Sequence, residues 1–340
     1  MGKVWALSLT YVAAVVGAGF ASGQELMQFF VSFGRAGLWG TLVAGSGFML
    51  VGMLIFRLAA HYRVNSYHEF LAFLLGKKAG TVVDGWLSLY LFAGLVIMLA
   101  GCGAAFQEYF ALPAWMGVLS STLILLCVLL AQREGVLAFN SLLVPAMILG
   151  ILIVAGSAWQ GGSRFSFPDG MTGDGSWLLS ALLYVSYNMI SGMVILVSFA
   201  NTHRHEGTRA VLLGGILLGM LAWLLCAVLL EHHQVVEQVE VPLLYLARQQ
   251  SFPVGLGYAV VLWLAMLTSA MVDAMGLALR LTARQLSYPV TVILLLTGAA
   301  LLSRIGFSVL IKTIYPFFGC LNLVVLAAVL VKARQVYIAR

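Results

Sequence analysis

Val15-Val16-Gly17-Ala18-Gly19-Phe20-Ala21-Ser22-Gly23-Gln24-Glu25 stands in the middle of the first apolar segment of the chain. Three glycines fall within seven residues, and each disfavours helix by about 1 kcal/mol relative to alanine. Two readings are open: close helix packing through small residues, or an unwound stretch at the centre of a membrane span. The polar residues that follow at once (Ser22, Gln24, Glu25 and Gln28) favour unwinding, because packing alone does not require them. Unwound backbone at membrane depth must bind something or line water. Its freed carbonyls suit a cation, and the N-terminus of the second half-helix suits an anion such as a carboxylate.

Composition places this stretch in a bilayer. Of 340 residues, 62% are hydrophobic and 9% charged, against about 25% charged in a soluble domain; the mean hydropathy is +1.03. Apolar runs of about 20 residues match the ~30 Å hydrocarbon core. These features exclude a soluble enzyme, a disordered chain, a secreted disulfide scaffold and a transmembrane β-barrel, whose strands alternate apolar and polar residues. The net charge of +6 reflects basic residues scattered over short loops, as membrane topology requires, and implies no nucleic-acid partner. Cys102, Cys127, Cys226 and Cys320 all lie in apolar runs without metal-ligand spacing and read as packing residues. Lys3 with the apolar run after it resembles a signal peptide, but the run continues through Phe29 and Phe30, so it reads as a span.

Ten spans are expected, over 3–31, 37–59, 81–106, 114–131, 137–159, 177–200, 208–230, 254–279, 288–303 and 305–331. The last two are separated only by Ser303 and Arg304. With the N-terminus in the cytoplasm, thirteen basic residues fall inside and four (Arg35, Arg164, Arg248 and Arg304) outside. That bias satisfies the positive-inside rule with both termini cytoplasmic, and the expected location is the plasma membrane. The Gly- and Ser-rich loop 161–176 divides the chain into repeats of five spans, 1–160 and 177–340. The second repeat enters from the opposite side, the inverted-repeat plan of many secondary transporters. Span six is then the counterpart of span one. Tyr184, Asn188 and Ser191 lie one turn apart on one of its faces, with Tyr187 beside them, and Gly192 offers a break. Interhelical hydrogen bonding accounts for such a stripe too, but interrupted segments at corresponding places in both halves favour a binding site. Gly17, Ala18, Gly19, Phe20 and Ser22, with Tyr184, Tyr187, Asn188 and Ser191, form the candidate substrate site for a small molecule.

The run Val16–Glu25, with the length and span count of the whole chain, resembles the YkvI-type membrane proteins, amino-acid permeases of the amino acid–polyamine–organocation superfamily. The resemblance implies the LeuT fold: an all-α membrane protein of ten helices in a 5+5 inverted repeat, with helices 1 and 6 broken. It also implies a sodium site. In sodium-coupled relatives, a carbonyl three residues before a Thr/Ser–Ser pair joins that pair and two span-one carbonyls around one ion. Ala265, Thr268 and Ser269 match the pattern, and alignment of the glycines points to Ala13 and Val16. Against it, Thr and Ser commonly bond back to their own helix. Phe20 stands where many relatives carry an Asn ligand for a second sodium, so one site is implied. Proton-coupled relatives often place a Lys on span five; here 137–159 holds no Lys, Arg, Asp or Glu.

Ionisable residues inside the membrane are functional candidates. Asp273 lies one turn below Ser269. Glu25 and Lys312 fall in the outer halves of spans one and ten, where an ion pair would act as an outer gate, unless either charge snorkels to the interface. Tyr315-Pro316 is expected to kink span ten. The leading reading is a sodium-coupled symporter of an amino acid or similar small zwitterion. The alternatives are proton coupling through Glu25 or Asp273, and a transporter-shaped receptor for a small molecule. The six histidines lie in or beside loops with no nucleophile constellation, so no enzyme and no organic cofactor are expected. With no charged residue placed at the midplane, a neutral substrate is favoured. The sequence specifies no oligomeric partner.

Overall fold

The structure, a computed structural model, describes residues 2–64, 66–131, 136–159, 176–282 and 287–338. The described residues are helical with short connections. The first apolar segment forms three helices, α1 (Gly2–Val15), α2 (Ala18–Ser22) and α3 (Gln24–Phe29). Then follow α4 (Arg35–Tyr62), α5 (Tyr67–Leu75), α6 (Lys77–Phe110), α7 (Ala114–Leu130), α8 (Val136–Ala158), α9 (Ser176–Ala200) and α10 (Arg204–Glu231). The chain ends with α11 (His233–Val236), α12 (Pro242–Gln250), α13 (Phe252–Thr282), α14 (Tyr288–Leu302) and α15 (Phe307–Ile338). Among the described residues, seven helices are long and apolar enough to cross a membrane: α4, α9, α13 and the stretches Gly85–Phe110, Glu206–Glu231, Tyr288–Ile305 and Phe307–Val336. Gly2–Val15, Ala114–Leu130 and Leu143–Ala158 are shorter apolar helices. Most of the linking segment 161–176 lies outside the described residues.

The molecule is apolar on its outside. Trp39, Leu50, Trp115, Met220 and Leu294 are exposed, which suits hydrocarbon rather than water as the surrounding solvent. Its interior is held by close helix approach through small residues. A Cβ placed on Gly45 of α4 would stand 2.8 Å from the Cα of Gly219 on α10, so those backbones meet with nothing between them.

Two sequence expectations are corrected here. Span six is not broken: α9 runs unbroken from Ser176 to Ala200 through Gly192. The Asn188 side chain donates to Tyr184 O at 3.0 Å, and the space beside Gly192 is taken by Tyr11 and Met189. That packing offsets the modest helix penalty of one glycine. The second correction concerns helices that hydropathy alone does not reveal. The α5 helix is announced by Ser66, whose hydroxyl accepts from Glu69 N at 3.2 Å as an N-cap. The α12 helix opens on Pro242 at its first turn and buries Leu243, Leu244 and Leu246. The narrow gap between the last two spans is a 3-10 turn, Ser303–Ile305, closed by Gly306 at φ +101°. Pro316 lies inside α15 without ending it.

Candidate functional site

The first segment breaks where its glycines begin. Gly17 adopts an extended conformation, φ −94° and ψ −173°. Its amide donates to Val15 O at 3.0 Å rather than to Ala13 O, leaving that carbonyl without its usual helical donor. A second joint follows at Gly23, left-handed at φ +82°. Ser22 serves this joint: its hydroxyl donates to Gly19 O at 2.6 Å and accepts from Gln24 N at 3.1 Å.

The break faces a central cavity of about 600 Å³. Ala13, Gly17, Ala18 and Gly19 line it from the first segment, with Glu25 from α3. Tyr90 and Gly94 of α6 line it too, as do Tyr187, Asn188 and Ser191 of α9, Ser269 and Asp273 of α13, and Tyr315 of α15. The structure therefore gathers most of the expected residues around one space. Phe20, Ser22, Tyr184, Val16, Ala265 and Thr268 are not in its lining. Phe20 is buried. Tyr184 is packed among Phe29, Phe30 and Phe48, with ring centroids 4.9–5.8 Å away. Val16 N donates to Val12 O at 2.7 Å, ending α1. Thr268 Oγ1 donates to Ala265 O of its own helix at 3.1 Å.

Glu25 is 2% exposed. Its Oε1 accepts from the Tyr187 hydroxyl at 3.4 Å, and its Oε2 has no hydrogen-bond partner among the described residues. The carboxylate occupies room left by Gly19, where an added Cβ would overlap Oε1 and stand 3.1 Å from the Tyr315 hydroxyl. Tyr187 stacks on Tyr315 with centroids 4.2 Å apart and planes 21° from parallel, and Tyr90 lies 6.4 Å from Tyr187. Across the cavity, Asp273 fills the recess of a second glycine, Gly94, whose added Cβ would overlap Oδ2. Asp273 makes no hydrogen bond or ion pair among the described residues. The expected outer gate is absent: Lys312 is exposed and no ion pair joins it to Glu25. The next turn of α15 presents Tyr315 to Glu25 instead, leaving Lys312 on an outer face. The expectation that no charged side chain reaches the centre is likewise corrected by Glu25 and Asp273.

Sequence reasoning missed Tyr90, Gly94 and the site role of Tyr315. Tyr90 and Gly94 are spaced i, i+4 and so share one helix face, but their span carries no polar stripe to mark that face.

This is the fold of a membrane transporter. A crystal structure of a mutant of the Eremococcus coleocola manganese transporter superimposes with a TM-score of 0.59 at 15% identity, covering 93% of this chain and 76% of that one. The chain belongs to the YkvI family of membrane proteins. It is 31% identical over 344 residues to the "Uncharacterized membrane protein YkvI" of Bacillus subtilis (strain 168), spanning 97% of this chain and 96% of the relative. The "Uncharacterized protein YyaD" of the same organism is 27% identical over 333 residues, with the same coverage. No protein-family model matches the chain.

Proposed function

We propose that the protein is a secondary active transporter rather than an enzyme, carrying a small amine-bearing solute of the amino-acid class by alternating access. The observation that carries this reading is the helix break at Val16–Gly17 facing the central cavity. Free carbonyls, hydroxyls, aromatic faces and carboxylates converge there in a volume suited to a small molecule. In this reading the chain crosses the plasma membrane ten times as two five-span repeats, with both termini cytoplasmic. The cavity then extends toward the cytoplasm, since Val194, Ile195 and Val272 line it in the later halves of α9 and α13.

Sodium is the coupling ion of this proposal, held by Ala13, Val16, Ala265, Thr268 and Ser269. Ala13 and Ser269 already line the cavity. The Thr268 hydroxyl donates to Ala265 O yet keeps lone pairs that can accept a cation. One sodium crossing ~100 mV supplies about 2.3 kcal/mol, and a tenfold gradient adds about 1.4 kcal/mol. Together they sustain roughly a 500-fold solute gradient. A second reading, proton coupling, is favoured by one observation: the unpartnered Oε2 of buried Glu25. Uptake into proteoliposomes under separately imposed sodium and pH gradients decides between them. Uptake driven by the sodium gradient at equal pH is expected. Uptake that ignores sodium and follows the pH gradient transfers coupling to Glu25 or Asp273. No solute uptake under either gradient counts against the transporter reading itself.

A further inference from the structure

We propose that the central cavity selects a solute with net positive charge on nitrogen, an organic ammonium compound such as a diamine or an amino acid with an amine side chain. This deepens the transporter reading and rests on it for the site.

The cavity has a one-sided charge. Two carboxylates, Glu25 and Asp273, line it, and among the described residues no Lys, Arg or His does. Glu25 is almost fully buried, with one oxygen satisfied by Tyr187 and the other by no group among the described residues. Among the described residues Asp273 has no partner of either kind. A carboxylate taken from water without a counter-charge, as Glu25 is, is strongly disfavoured unless a cation joins it; Asp273 is only half-buried and adds a second carboxylate to the same lining. A neutral zwitterion brings its own carboxylate into the same space, and like charges in close juxtaposition oppose binding. A diamine compensates the site without adding a carboxylate, and lysine brings two ammonium groups for its one carboxylate.

The walls beside Glu25 suit an ammonium group rather than a divalent metal ion. Tyr90, Tyr187 and Tyr315 line the cavity together, and the latter two form a stack beside the Glu25 carboxylate. Ring faces attract ammonium groups through their quadrupole. Among the described residues no cluster of three or more His, Cys, Asp or Glu is arranged to hold a metal. Gly19 and Gly94 give the two carboxyl groups their places, so their positions are built into the shape of the backbone.

The test uses the purified full-length protein in nanodiscs, reading thermal unfolding against 1,5-diaminopentane, L-lysine, L-leucine, L-glutamate and manganese chloride. Diamine and lysine are expected to protect at half-saturating concentrations at least about tenfold below that of leucine, with no protection by glutamate. Glu25→Gln is expected to abolish the preference for diamine over leucine. Asp273→Asn reads the second carboxylate independently of the joint at Gly23 and is expected to weaken diamine protection while sparing leucine. Equal protection by leucine and diamine, protection by manganese alone, or a charge preference unchanged in both variants overturns the proposal. Each of those results leaves the transporter reading standing, which fails separately if proteoliposomes take up none of these solutes.

Discussion

At the scale of single residues, the site is defined by what glycine omits. Asp273 rests where a side chain on Gly94 would be. Gly94→Ala puts a methyl group there and must push the carboxylate aside, while α6 itself gains helix propensity. Solute uptake is therefore expected to fall about tenfold or more, the cost of roughly 1.4 kcal/mol, with the thermal unfolding midpoint little changed. Parallel uptake and unfolding measurements separate that outcome from a folding defect. Thr268→Val tests the proposed sodium site. It keeps the shape of the side chain and removes the oxygen proposed as a ligand, together with the hydrogen bond to Ala265 O. The sodium concentration for half-maximal uptake is expected to rise while solute recognition at saturating sodium is preserved. Linkage makes the effect reciprocal, so solute should tighten sodium binding less in the variant than in the parent. Unchanged sodium dependence of uptake would remove Thr268 from the coupling site.

At the scale of elements, the first segment is a jointed rod. Its two glycine joints differ physically. Gly17 is extended at φ −94° with nothing within 4 Å of an added Cβ. Gly23 is left-handed at φ +82°, and an added Cβ would meet Leu243 of α12 at 3.1 Å. Gly23→Ala is accordingly expected to destabilise by about 1–2 kcal/mol from the backbone alone, read as a lowered unfolding midpoint. Gly17→Ala is expected to leave that midpoint nearly unchanged. The helix leaning on Gly23 is anchored in turn. Glu108, near the end of α6, accepts from Glu240 N at 3.0 Å, and its carbonyl accepts from Arg248 at 2.6 Å. Glu240 accepts from Ser308 N at 3.0 Å, satisfying an amide in the first turn of α15. The α12 helix thereby ties the second joint of the broken segment to α6 and α15. Its place opposite Gly23 is not legible locally, because the residues that meet there are more than 200 positions apart.

At the scale of the whole molecule, apolar faces turn outward and the carboxylates Glu25 and Asp273 face an inner cavity. The ten-span arrangement proposed for this molecule has a direct consequence for accessibility. Single cysteines at Gly161 and Gln249 are expected to react with an impermeant thiol reagent from outside intact cells. Cysteines at Lys77, Thr208 and Gln285 are expected to react only after permeabilisation. Gly161 and Gln285 lie outside the described residues, so labelling supplies information there that the structure does not. Reversed accessibility in either half would defeat the five-plus-five arrangement.

The membrane class, the helical content, the approximate limits of the long helices and an interruption of the first span at its glycines are legible in the sequence, whereas the exact joints at Gly17 and Gly23, with Ala18–Ser22 helical between them, are not. The legible features follow from local quantities: the length of apolar runs against bilayer thickness, and the helix penalty of clustered glycines. The tertiary structure decided what the helices do to one another. It kept α9 whole through Gly192 because Tyr11 and Met189 pack there. It turned Lys312 outward and brought Tyr315 to Glu25, a choice between neighbouring faces of one helix that hydropathy does not make. It also set Asp273 against Gly94 and placed two carboxylates in the lining of one cavity. Those outcomes depend on helix rotation and on contacts between distant segments, and such contacts leave no periodic trace in the chain that makes them.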